Sequence, residues 1–151
     1  MASRTEEALQ ALVSALAAAA GASLPEPTRN RVLADALDAL DGNATAHLNV
    51  VDGDGEVEAT ELGQPRVYEV SQTAAVEWIV KANADADREA AFDAGMEAIA
   101  TAIEADPTLG GVVDDTEITA VSRSNLAIEG VPQLKGAEIS IRLQFTSTRP
   151  F

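Results

Sequence analysis

The stretch from Tyr68 to Lys81, YEVSQTAAVEWIVK, decides the fold. Tyr68, Val70, Gln72, Ala74, Val76, Trp78 and Val80 fall on one parity, and Glu69, Ser71, Thr73, Glu77 and Lys81 on the other. A strand alternates its side chains with a period of two, so the segment reads as a long strand with one buried face. Such a face needs a cover. Just downstream, Phe92, Met96, Ile99 and Ile103 recur at helical spacing between Ala86 and Ala105, with Asp85 as the expected N-cap and Asp106-Pro107 and Gly110-Gly111 as the stop.

Upstream, Leu9, Leu12, Val13 and Leu16 form an apolar stripe from Thr5 to Ala20, with Thr5 as the expected N-cap and Gly21 closing the helix. Pro25 and Pro27 forbid a continuing helix, so Leu24 to Asn30 reads as an extended connection, and Val32 to Leu40 as a short helical turn or irregular segment. Ala46 to Val51 reads as a strand, Asp52-Gly53-Asp54-Gly55 as turn residues, and the polar run to Gly63 as the loop of a hairpin. Thr116 to Val121, Leu126 to Ile128 and Ala137 to Phe145 complete the strands; in the last, Ala137, Ile139, Ile141, Leu143 and Phe145 share a face. The order helix, strands, helix, strands predicts an α+β fold: a mainly antiparallel sheet with two principal helices packed on one face. No repeat or compositional break divides the chain, so residues 1–151 read as one domain.

The chain carries 25 acidic and 10 basic residues, a formal charge of −15. Nucleic-acid binders neutralise phosphates with Lys and Arg, and this balance opposes that. It suits a surface past which DNA slides without sticking, and equally a salt-adapted source, since the acid is spread along the chain and only Lys81 and Lys135 are lysines. Aromatics are 3% of the residues, so the core must be built from Ala, Val, Leu and Ile, with Phe92, Trp78 and Tyr68 as its large pieces. The absence of cysteine excludes a disulfide, a thiolate nucleophile and a Cys-based metal site. Ala8 to Ala20 follows Glu6 and Glu7, not a basic region, and is too short and Ala-rich to span a bilayer, so synthesis in the cytoplasm is expected.

Asp52-Gly53-Asp54-Gly55-Glu56 sets carboxylates on glycine-rich chain, as calcium loops do. The register fails, because the sixth position counted from Asp52 is Val57 where Gly is needed and the twelfth is Gly63 where Glu is needed. An acidic hairpin turn is the reading, with no metal ligands assigned. His47 is the lone histidine, so any nucleophile–His–acid triad would have to use it; between Ala46 and Leu48 it reads as an edge or surface histidine. There is no nucleophile elbow, and Gly53, Gly55 and Gly63 have the wrong spacing for a dinucleotide fingerprint. No catalytic residue and no cofactor is expected. The scarce arginines Arg29, Arg31, Arg66, Arg123 and Arg142 are the candidates for meeting acid across a subunit boundary, pairing within the subunit being the alternative.

Four segments, in this order, resemble the tail terminator proteins of long-tailed phages and gene transfer agents, also called tail completion or minor tail proteins. They are the N-terminal helix with Pro27 to Leu33 (PTRNRVL), Glu61 to Val80 (ELGQPRVYEVSQTAAVEWIV), Ala105 to Asp114 (ADPTLGGVVD) and Gly130 to Phe145 (GVPQLKGAEISIRLQF). The resemblance implies a structural virion protein, not an enzyme. Such a subunit forms a homo-hexameric ring at the head-proximal end of the tail, ends polymerisation of the tail tube protein, and joins the tube to the head–tail connector (stopper) protein while DNA passes through. On that reading Asp52, Asp54 and Glu56 are expected on an acidic loop facing the lumen, although Asp52 to Glu61 departs from the family pattern. Two alternatives stand beside it: another head–tail joining protein (stopper or adaptor), and a small α+β enzyme using His47 and a nearby carboxylate.

Overall fold

The computed structural model describes residues 2–32, 35, 40, 45–61, 63, 65–125 and 134–151. In chain order the elements are α1 (Arg4–Ala18), β1 (Thr28–Arg29), β2 (Ala46–Glu61), β3 (Val67–Lys81), α2 (Asp85–Ala105), β4 (Asp115–Asn125) and β5 (Leu134–Ser147). The strands form one sheet in the order β1-β2-β3-β5-β4, antiparallel except for the two-residue β1, which runs parallel to β2 at Asn49 and Val50. The fold is therefore α+β, as the helix and strand periods predict.

The alternation of Tyr68–Lys81 becomes the central strand. Val70, Ala74, Val76, Trp78 and Val80 point to one face, opposite Phe145, Ile141, Ile139, Ala137 and Lys135 of β5. Leu9, Leu12 and Leu16 of α1 and Phe92, Ile99 and Ile103 of α2 are buried in the same cluster, so both helices cover this face. A fully buried side chain of this size contributes roughly 1.5–3 kcal/mol. Trp78 also donates its indole Nε1–H to the carbonyl of Phe92, 3.2 Å away, which ties β3 to α2. Tyr68 is only half-buried; Phe145, 2% exposed, takes its place among the large core residues.

Three expectations are corrected. Ser3, not Thr5, caps α1: its hydroxyl accepts from the Glu6 amide at 3.2 Å, the Ser-x-x-Glu spacing of a capping box, and the helix starts one residue later. Asp85 does not cap α2 but lies in its first turn, where its carboxylate meets Arg88 at 2.9 Å, and the N-cap is Ala84. The third concerns Asp52–Glu61, which is not a loop but the continuation of β2, paired with β3 up to Val67. Between Asp52 and Gly55 the register shifts, so that Gly53 and Asp54 stand opposite the single residue Thr73. This is a β-bulge. Gly53 is needed there because a Cβ would run into Thr73, whose hydroxyl donates to the Asp54 carbonyl at 2.9 Å. Gln72 likewise folds back and donates to the Gly53 carbonyl at 2.6 Å.

The final strands are longer than predicted, Asp115–Asn125 and Leu134–Ser147, because each extends its pairing past the apolar stretch that signals it. The expected short strand Leu126–Ile128 lies outside the described residues, as does most of Val32–Leu40. Among the described residues no helix is long and apolar enough to cross a membrane.

Candidate interaction surface

Beyond the bulge, β2 leaves the cover of the helices. Every residue from Asp52 to Thr60 is exposed; its partner Val70 stays buried beside Phe145 of β5, and Glu58–Glu61 with Val67–Glu69 of β3 form an arm. The second face of the sheet carries Glu56 and Glu58 of β2, Glu69 of β3, Glu138 and Arg142 of β5 and Glu117 of β4. A shallow groove of about 630 Å³ runs across it, lined by Glu56, Glu58, Glu69, Ser71, Arg142 and Gln144 among others. Among the described residues no further strand lies beyond either sheet edge: β1 pairs with β2 only at Asn49 and Val50, and β4 has β5 on one side alone.

The predicted arginines are not gathered in one place. Arg29 is engaged inside the chain: its guanidinium bridges Glu6 of α1 at 2.6 Å and Asp52 of β2 at 2.9 Å. The bidentate pairing on both carboxylates raises its own pKa further, against a small burial penalty. Arg142 pairs with Glu117, its partner across the β4–β5 register. Arg31 follows β1, Arg66 precedes β3 at the arm's tip, and Arg123 lies on β4; all three are exposed and have no ion pair among the described residues.

The three acidic positions also separate. Asp52 lies on the helix-covered side, held by Arg29 and by the Asn30 amide at 3.1 Å, while Asp54 sits in the bulge and Glu56 on the open face. Partial burial pushes the Asp52 pKa up, but hydrogen bonds from Arg29 and Asn30 and the Arg29 charge outweigh it, and the net shift is down. Glu6 is also lowered, first by its hydrogen bond from Arg29.

His47 is half-buried at the sheet's second face, beside the register pair Asn49 and Glu77. Loss of solvation lowers its pKa, Glu77 opposes that, and the Arg31 charge adds to it. Its side chain makes no hydrogen bond among the described residues, and no cluster of three metal-binding side chains occurs among them.

Sequence reasoning missed Asn49 and Asn30. Asn49 is fully buried; its amide donates to the Arg31 carbonyl at 2.9 Å and to Glu77 at 2.7 Å, and its oxygen accepts from Thr28 and from the Arg31 amide. Asn30 adopts a φ of 53°, a left-handed conformation that Asn tolerates, and exchanges side-chain bonds with the backbone and carboxylate of Asp52. A polar residue inside the apolar run Leu48-Asn49-Val50-Val51 was the available signal.

No protein-family model matches the chain, and no curated protein is significantly similar to it.

Proposed function

We propose that this protein is a ring-forming structural subunit of a tailed virus particle, a tail terminator. Six copies close a ring on the head-proximal end of the tail, stop addition of the tail tube protein, and present a surface to the head–tail connector. The observation that carries the reading is the arm: a sheet covered by helices on one face, continued by the exposed strand segment Asp52–Thr60, with no further strand on either edge among the described residues. Open edges and a projecting hairpin are what a subunit uses to bind further copies and neighbouring proteins. The acidic second face, with Glu56, Glu58, Glu69 and Glu117, suits a lumen through which DNA moves without adhering.

The role is geometric and uses no reacting group. Many weak contacts repeated around a ring supply strength that one contact lacks. The deciding experiment removes the protein from assembling particles and images the tails. Overlong tubes without heads are expected; tails of normal length beside empty or leaking heads would transfer the protein to the stopper class.

A further inference from the structure

The chain has only five aromatic residues, and four of them, Tyr68, Trp78, Phe92 and Phe145, are buried or half-buried. The fifth, Phe151, is 54% exposed in the segment Thr148–Phe151, which leaves the sheet after β5. Arg149, also exposed, lies two residues before it in a bend of the chain ahead of Pro150. A groove of about 710 Å³ runs between α1 and the turn after α2. Its floor is Ala11, Ala15, Leu109 and Val112, and its rim carries Glu6, Glu7 and Asp106.

We propose that this groove receives the Arg149-Pro150-Phe151 segment of a second copy. The floor is apolar and suits a phenyl ring, while the rim suits a guanidinium. Among the described residues Glu6 and Glu7 with neighbouring Asp52 are met by Arg29 and Arg4 alone, and the Asp106 carboxylate accepts from Thr108 and the Gly110 amide, so the rim keeps a net negative charge. The occupant is another copy because within its own protomer Phe151 stays exposed and does not line the groove. Four residues past Ser147 reach at most about 14 Å, so the neighbour must set its α1 beside the end of β5. The two sides of such a contact differ, so it repeats head to tail and closes where the rotation permits. Closure into a ring rests on the tail-terminator reading; the contact itself does not.

The chain's lack of cysteine makes a clean test. Full-length Ser14→Cys and Phe151→Cys chains, one carrying a mass tag, are mixed under mild oxidation. A disulfide joining the two different chains is expected. A Ser14→Cys/Phe151→Cys chain that closes on itself, with no link in the mixture, would overturn the proposal. Light scattering over a concentration series gives the second measurement. Phe151→Ala is expected to weaken self-association roughly tenfold or more, and Arg149→Glu to weaken it with recovery on adding Glu7→Arg. Oligomers that form equally well with Phe151→Ala would sink the groove contact and leave the ring; a wild-type chain that stays monomeric throughout would sink both.

Discussion

Gly95 of α2 faces the indole ring of Trp78 of β3, with no room for even a methyl group between them. A glycine in mid-helix ordinarily costs about 1 kcal/mol against alanine. Here the sign reverses, because Trp78 is 1% exposed and fixed by its bond to the Phe92 carbonyl. Gly95→Ala is expected to destabilise by about 1–3 kcal/mol in urea melts. A more stable variant would show that the indole can turn aside.

The Arg29 bridge ties α1 to β2 through Glu6 and Asp52. Arg29→Ala should cost about 1 kcal/mol at neutral pH, since both carboxylates keep much solvent contact. The pH profile is more telling. Glu6 and Asp52 have folded pKa values lowered from 4.5 and 3.8, so their contribution is present above those values and is lost as pH falls through the lower folded ones. Wild type should therefore lose stability below about pH 4.5 more steeply than Arg29→Ala; parallel curves would refute the coupling.

Asn49→Ala removes the partners of the Arg31 backbone and leaves Glu77 without its amide donor. Because these groups lie around a fully buried site, a loss of about 1–3 kcal/mol is expected. Hydrogen exchange at the Arg31 amide should quicken more than exchange in α2. Uniform quickening would indicate global unfolding instead.

His47 is expected to titrate below 6.5 in an NMR series, with Glu77→Gln lowering it further and Arg31→Ala raising it. A folded value below the unfolded one means the unfolded chain binds the proton more readily. Stability is thus unaffected above pH 6.5 and declines as the pH drops from there towards the folded pKa. His47→Gln should flatten that part of the profile.

The fold was legible where one face of an element is buried, as in Tyr68–Lys81 and in the Phe92, Ile99, Ile103 stripe, because burial writes its period into the sequence. It was not legible in Asp52–Thr60, where solvent reaches every residue and nothing selects apolar side chains. There the pairing is made by the backbone and by Gln72 and Thr73 reaching across. Asp-Gly-Asp-Gly, a turn signal elsewhere, marks the bulge instead. Of the candidate arginines, only their scarcity was readable; that Arg29 and Arg142 meet acid in their own chain depends on contacts 23 and 25 residues apart in sequence.

The extra residue in the bulge also sets the phase of everything after it. Up to Asp52 the even-numbered residues of β2 face the helices, and from Gly55 to Ala59 the odd-numbered ones do, with Val57 opposite Val70. Deleting Gly53 or Asp54 alone would remove the bulge and keep Glu56 opposite Ser71, whereas deleting both, with the pairing of Val50 and Val76 kept, would shift the frame by one and turn Glu56 and Glu58 to the side Val57 and Ala59 now occupy. The two-residue bulge thus absorbs the loss of one codon, while the loss of both would reverse which way the acidic side of the hairpin looks.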